Sequence, residues 1–266
     1  MHLGLFKMWP RLHNMVADVL IFDEAGQATD PDLLMGIVGQ LSKTMLLVIA
    51  GDTQQLGPVV PSVTASHNSL GNVLATSAMQ RMRQAYPHFT RVALTQNYRG
   101  HPSTLAMSSE IFYDGQMTVG GDPARWDTTR LAGPIMKMMR GAEFKSAIRN
   151  RPMALNNNRQ FFFNVIGSPR QEDQGTSWFN PAGVRAVVTF VQMLLDNGAR
   201  ASDIGIISMY GEDVRRIKQF LRAVGIHVDV AEAVPDPEVS SVDAFQGREK
   251  SIILVHFVAA FNGLDP

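Results

Sequence analysis

Val19-Leu20-Ile21-Phe22-Asp23-Glu24-Ala25-Gly26-Gln27 is the stretch that decides the fold. Val19 to Phe22 is an unbroken apolar run, too short for a helix and rich in bulky side chains, which predicts a strand buried on both faces as in a parallel sheet. Two carboxylates end it. Open α/β sheets bind ligands beyond the carboxyl ends of their strands, so Asp23 and Glu24 are placed to face a pocket. In a phosphate-handling site the first acid holds Mg²⁺ and the second orients or deprotonates the attacking water. The alternative is purely local: Asp23 begins a turn, and Glu24 opens the next helix at the positive end of its dipole.

Downstream, Asp30-Pro31 predicts a helix start, with Asp30 as N-cap and Leu33, Leu34, Ile37, Val38 and Leu41 at helical spacing. Met45 to Ala50 is a second apolar strand, running into Gly51-Asp52-Thr53-Gln54-Gln55-Leu56-Gly57-Pro58. Strand, helix and strand make one βαβ unit, whose right-handed crossover brings both polar loops to one sheet edge. Residues 61 to 75 read as a surface loop and Leu74 to Tyr86 as a helix. Arg91 to Leu94 starts another strand, ending at Thr95-Gln96-Asn97-Tyr98-Arg99, and His101-Pro102 opens a helix. Arg125 to Arg159 carries Arg125, Arg130, Lys137, Arg140, Lys145, Arg149, Arg151 and Arg159 against Asp127 and Glu143, with Trp126 and Phe144 between them. That composition suits a nucleic-acid surface or a solvated insertion.

From Phe161 the α/β rhythm resumes. Phe161 to Ile166 reads as a strand, and Asn180-Pro181 caps a long amphipathic helix ended by Asn197-Gly198. Ile204 to Ile207 is a buried strand, Val214 to Val224 a helix closed by Gly225, and Val228 to Val230 a short strand. Ser240 to Lys250 reads as a polar turn, and Ile252 to Val258 as a last buried strand. The expected fold class is α/β, doubly wound, in two lobes divided near residue 90.

Composition narrows the function classes. The 266 residues are 45% hydrophobic, enough for two modest cores. Lys+Arg 24 against Asp+Glu 24 leaves a net charge of zero, so a polyanion site must be a local patch rather than a global field. There is no cysteine, which removes disulfides, thiol nucleophiles and the common zinc clusters and fits an intracellular protein. The seven histidines, His2, His13, His67, His88, His101, His227 and His256, have no metal-ligand spacing. No apolar run approaches the roughly 18 to 20 residues of a membrane span, and Met1 to Asn14 does not read as a signal peptide.

Four loops at strand ends carry acids, amides and a guanidinium, the groups that phosphoryl transfer from a nucleotide requires. Asp23-Glu24-Ala25-Gly26-Gln27, Gly51 to Pro58, Asn97-Tyr98-Arg99 with His101-Pro102, and Val242-Asp243-Ala244-Phe245-Gln246-Gly247-Arg248-Glu249-Lys250 follow in that order. From about Asp18 to Pro266 the sequence resembles the superfamily 1 helicases of the up-frameshift type, which include nonsense-mediated decay and Armitage-like RNA-silencing helicases. The resemblance implies two RecA-like P-loop NTPase domains with mainly parallel sheets: residues 1–90 as the latter part of the first, incomplete one, and 91–266 as the second, with a basic insertion at about 120–160. It also implies ATP hydrolysis in the cleft between them, coupled to stepping along single-stranded RNA or DNA, by a monomer in the cytoplasm or the nucleus.

By the same resemblance, Asp23 holds Mg²⁺, Glu24 is the catalytic base, Gln55 contacts the γ-phosphate and Asp52 supports that loop. Tyr98 lies against the nucleotide, Arg99 reaches the γ-phosphate, and Gly247 and Glu249 line the nucleotide site, Glu249 near the ribose. Read locally instead, Tyr98 is a core aromatic and Glu249 a surface charge. Pro58, Ser208, Tyr210 and Ser241 fall along the strand-binding face. Ser208-Met209-Tyr210 stands where Thr-Pro-Tyr is usual, and Asp213 replaces a glutamine, an acid expected to repel phosphate.

Two family motifs are missing. The chain has no G-x-x-x-x-G-K-S/T; Gly39-Gln40-Leu41-Ser42-Lys43-Thr44 lacks the glycine before its lysine and follows a helix rather than a strand. The last motif, with a second arginine finger, would lie beyond Pro266. The chain therefore reads as a fragment cut at both ends, with apolar sheet faces left open, and ATP turnover by these 266 residues alone is not expected. Two alternatives stand beside the helicase: a catalytically inactive helicase-like module that binds nucleic acid or protein, and a nuclease using its carboxylates as metal ligands, in which Gln55 and Arg99 would have no role.

Overall fold

The computed structural model describes residues 18–37, 46–60, 74–121, 137, 153–155, 160–165, 167–173, 175–228 and 236–259. The chain divides into two compact units, Met1–Leu94 and Thr95–Pro266. Within both, the described sheets are small and mostly parallel. Gly39 to Thr44, Asp229-Val230 of the expected short strand and, apart from Lys137, the basic residues of the 125–159 segment lie outside the described residues, as does nearly all of the expected surface loop at 61–75.

In the first unit, β1 (Val19–Phe22) pairs in parallel with β2 (Leu46–Ile49), joined through helix α1 (Asp30–Ile37). Successive strand side chains point to opposite faces. Leu20, Phe22, Leu47 and Ile49 pack against Leu33 and Ile37 of α1, and against Ala78 and Met82 of helix α2 (Ala78–Ala85). The other face is open, with Val19 at 51%, Ile21 at 67% and Leu46 at 59% exposed. The strand expected to be buried on both faces is thus buried on one, because the described helices cover only one side of the pair.

The start of α1 also differs from expectation. Thr29, not Asp30, is the cap: Asp32 N donates to Thr29 Oγ1, while Thr29 N and Oγ1 both donate to the Asp32 carboxylate. This is a capping box with an aspartate in the reciprocal position. Asp30 is released to pair with Arg81 of α2 at 2.9 Å. The helix expected over Leu74 to Tyr86 is interrupted at Ser77, whose Oγ accepts from Gln80 N and restarts it.

The strand expected to start at Arg91 to Leu94 begins later, in the second unit. Val92 and Leu94, 82% and 86% exposed, lie outside any strand. Only β3 (Gln96–Asn97) finds a partner, β4 (Thr118–Val119), after helix α3 (Pro102–Phe112). The strand expected from Phe161 to Ile166 is β6 (Gln160–Phe162), the second arm of an antiparallel hairpin with β5 (Met153–Leu155). A further short antiparallel pair joins β7 (Arg170–Gln171) to β8 (Trp178–Phe179).

The main sheet places β9 (Ile204–Ser208) between β10 (Glu238–Ser241) and β11 (Ile252–His256), all parallel. Helices α4 (Pro181–Asp196) and α5 (Gly211–Ala223) supply Val184, Val187, Val188, Val191, Leu194, Ile217 and Leu221 to one core with Ile204, Ile206, Val239 and Ile252. Gly205 sits on the other face of β9. There a Cβ would lie 2.7 Å from the Phe245 ring and 3.0 Å from the Lys250 stem, so only glycine admits them. Phe245 ends α6 (Val242–Phe245), so the polar turn expected over Ser240 to Lys250 is a strand end plus a helical turn. Gly198 and Gly225, φ +92° and +81°, end α4 and α5 as the sequence predicts.

The carboxyl ends of β9 and β11 meet α4 and α5 through one buried carboxylate. Asp213, 0% exposed in the first turn of α5, accepts from Ser208 Oγ at 2.7 Å, His256 Nδ1 at 2.6 Å and Asn180 N at 3.3 Å. Asn180 caps α4 by accepting from Ala182 N and Gly183 N, and it donates to Val258 O at 3.1 Å. Gly183 makes room for the imidazole, since a Cβ there would fall 1.9 Å from His256 Nε2. Asp213→Ala would leave three buried donors without an acceptor, each costing about 1–3 kcal/mol, so urea unfolding should show a loss of at least about 3 kcal/mol.

Next to it, Glu212 is buried, and hydrogen bonds from Arg215 and Arg216 hold its carboxyl below the ordinary 4.5. A depressed folded value means the unfolded chain binds a proton the native state does not. The resulting stabilisation is complete above the ordinary glutamate range and is lost as pH falls through the folded value. In urea titrations below pH 5, Glu212→Gln should flatten the acid limb; an unchanged pH slope would remove Glu212 as its source.

Candidate functional site

Each unit carries its candidate residues at strand ends. In the first, Ala50 N donates to Phe22 O and Ala25 N to Ala50 O, both at 2.9 Å, which extends the β1–β2 pairing into the loops. The loops then meet backbone to backbone. A Cβ on Gly26 would lie 2.3 Å from Asp52 O, and one on Gly51 2.7 Å from Gly26 N, so glycine at both positions is a condition of the arrangement. Asp23 Oδ1 accepts from Glu24 N, and Glu24 adopts φ +55°. That conformation is uncommon for a residue with a side chain and is often kept where function requires it. Gln27 Nε2 donates to Glu24 Oε2 at 3.1 Å.

Across the interlock, the Asp52 carboxylate accepts from Gln54 N at 2.9 Å and Gln55 Nε2 at 3.1 Å. Arg83 of α2 donates to Thr53 Oγ1 at 2.8 Å, bracing the same loop from outside. Gln55 is exposed and Pro58 half-buried. The first unit thus gathers Asp23, Glu24, Asp52 and Gln55 on two adjoining loops.

In the second unit, Asn97 Oδ1 accepts from Arg99 N at 2.9 Å and Gly100 N at 2.7 Å, an Asx turn that fixes where Arg99 leaves the strand. His101 caps α3 by accepting from Ser103 N. The Tyr98 hydroxyl donates to Gln96 Oε1 at 2.7 Å. Its ring lies against Gly120, where a Cβ would fall 2.6 Å from Cε1. Half of the residue stays exposed, so Tyr98 is not a core aromatic. Arg99 Nε pairs with Glu249 Oε2 at 2.7 Å, and a groove is lined by Gln96, Asn97, Tyr98, Arg99 and Glu249. Gly247, φ +77°, precedes Arg248 and Glu249. Arg248 and Lys250 both turn to Glu238, leaving Glu249 to face Arg99.

The nucleic-acid candidates of the second unit part company. Tyr210 is 40% exposed and Met209 49%, whereas Ser208 is fully enclosed with its hydroxyl given to Asp213. Ser241 caps α6 by accepting from Ala244 N. The repulsion expected from Asp213 is overturned: its carboxylate is inside the unit, satisfied by three donors, rather than facing phosphate. Ser208, Asp213 and His256 do not form a hydrolytic triad either, because serine and histidine both bond to the same carboxylate oxygen.

Two families, both described as AAA domain, match residues 74–263 and 9–63. The chain belongs to the AAA domain family, in its branch of up-frameshift-type superfamily 1 helicases. It is 32% identical over 250 residues to the "Probable RNA helicase armi" of Drosophila melanogaster, covering 90% of this chain and 20% of that protein. It is 31% identical over 252 residues to the human "RNA helicase Mov10l1", covering 89% and 18%, and 29% identical over 241 residues to the mouse "DNA-binding protein SMUBP-2", covering 91% and 21%. The chain thus spans about a fifth of the curated relatives it matches.

Sequence reasoning missed Gly26, Gly51 and Asn97 as site builders. The signals were present: a glycine two residues after the acidic pair and another two residues after the end of β2, and an asparagine two residues before the arginine. Gly26→Ala forces the two loops apart. Native-state hydrogen exchange should show faster exchange at Ala25 and Ala50, and thermal unfolding a fall of several degrees, while Gly57→Ala, where the nearest atom is 3.6 Å away, leaves both unchanged.

Proposed function

We propose that this chain is the motor portion of an ATP-dependent helicase that moves along single strands, RNA in preference to DNA. The observation that carries the reading is the glycine-enforced backbone contact between the Asp23-Glu24 and Asp52-to-Gln55 loops, which brings the loops bearing three acids and the Gln55 amide together at parallel strand ends. The units are read as RecA-like, and the protein as a monomer working in the cytoplasm or the nucleus. Among the described residues, no helix is long and apolar enough to cross a membrane.

The donors fit Mg²⁺. Among the described residues no group of three metal-binding side chains occurs, and Mg²⁺ with a nucleotide takes one or two carboxylates plus phosphate oxygens and water rather than a protein cage. Asp23 would hold that ion, which supplies charge neutralisation for the phosphates. Glu24, held at its oxygen by Gln27, orients the water and takes its proton. Gln55 reads the terminal phosphate from the first unit's loops, and Arg99, its backbone fixed by Asn97, is the guanidinium that the second unit offers to phosphate charge. Tyr98 offers an exposed ring to the nucleotide, with Gly247 and Glu249 beside the groove. Pro58, Tyr210 and Ser241 serve the strand, and Ser208 acts from inside by fixing the loop that carries Tyr210.

The second reading is a non-catalytic nucleic-acid or protein binding module, and a glycine-lysine phosphate loop joined to these residues favours the enzyme over it. In a protein that joins these residues to such a loop, Glu24→Gln should abolish RNA-stimulated ATP hydrolysis while leaving ATP binding intact, and Arg99→Ala should lower kcat by about 10³-fold or more. Hydrolysis by Glu24→Gln equal to wild type sinks the assignment of the base.

A further inference from the structure

The Arg99–Glu249 pair is the part of the second unit that the proposed function leaves unexplained. Both side chains are about three-fifths exposed, at 62% and 61%, yet they meet at 2.7 Å. The contact is built from both sides. The Asx turn on Asn97 sets the direction of Arg99, and the Arg248 and Lys250 contacts with Glu238 pin the residues flanking Glu249. Glu249 is therefore the one acid of its segment turned into the groove lined by Gln96, Asn97, Tyr98 and Arg99.

We propose that Glu249 is a built-in competitor for Arg99, an internal anion that any phosphate must displace before the arginine can engage it. Resting on the nucleotide reading above, this makes the groove selective. A bare polyphosphate breaks the ion pair and leaves Glu249 without a donor. A nucleoside triphosphate breaks it and can return hydrogen-bond donors to Glu249 from its sugar hydroxyls. The exchange is reversible because an exposed ion pair is weak, so the barrier it sets against bare anions is a factor of about five rather than many orders of magnitude.

The test uses the 266-residue chain, with tripolyphosphate and ATP as separate titrants by calorimetry. Glu249→Gln should tighten tripolyphosphate binding about fivefold, and the gain should vanish in the Arg99→Gln background. Asp173→Asn, which removes the same charge from an exposed position elsewhere in the unit, should give no gain. Equal affinity of wild type and Glu249→Gln, an equal gain from Asp173→Asn, or no binding by either protein overturns the competition. If Glu249→Gln tightens tripolyphosphate but wild type binds ATP no better than tripolyphosphate, the competition stands and the nucleotide reading fails.

Discussion

Asp213 is the constraint on which the second unit depends. A carboxylate without solvent contact must have its lone pairs answered, and here the answers come from three elements at once: Ser208 at the end of β9, His256 at the end of β11, and the backbone of Asn180 at the start of α4. Because Asp213 itself lies in the first turn of α5, two strand ends and two helix starts are tied to one atom group. Apolar packing holds the elements together without fixing their register, since it is non-directional. The carboxylate supplies direction, and so fixes where the loop bearing Met209 and Tyr210 emerges.

The first unit solves a similar problem mainly with its backbone. Its two strands end in loops whose amides and carbonyls continue the pairing, and the contact is close enough that Gly26 and Gly51 tolerate no side chain. Few apolar contacts back this up. Leu33, Ile37 and Ala78 are its only buried core cluster among the described residues, against fifteen buried residues in the second unit's core. The acids and amide of the candidate site therefore sit on a thin scaffold whose precision comes from hydrogen bonds. Loops positioned this way are drawn from the less stable end of a fold, where binding can reshape them.

Much of the architecture was legible in advance. Apolar runs marked β1, β2, β9 and β11, and Asn180-Pro181, Asn197-Gly198 and Gly225 marked the ends of helices, because caps and left-handed turns demand particular residue types at particular places. Errors fell where pairing decides. Val92 and Leu94 look like a strand locally, but a strand needs a partner, and only Gln96 and Asn97 find one in β4. Val19 and Ile21 look buried, yet burial is a property of what covers a face, not of the residue.

For the candidate site the division is similar. The sequence by itself determined which groups stand at the strand ends, Asp23, Glu24, Asp52, Gln55 and Arg99, since position relative to an apolar run is a one-dimensional property. Only the tertiary structure decided how those groups are engaged. Asp213 turned out to be an interior anchor instead of a charge facing a polyanion, Ser208 its partner, and Glu249 the counter-ion of Arg99. The Ser208 bond spans only five residues, but the Asn180, His256 and Arg99–Glu249 contacts depend on which distant segments of the chain meet within hydrogen-bonding distance, and no local pattern encodes that.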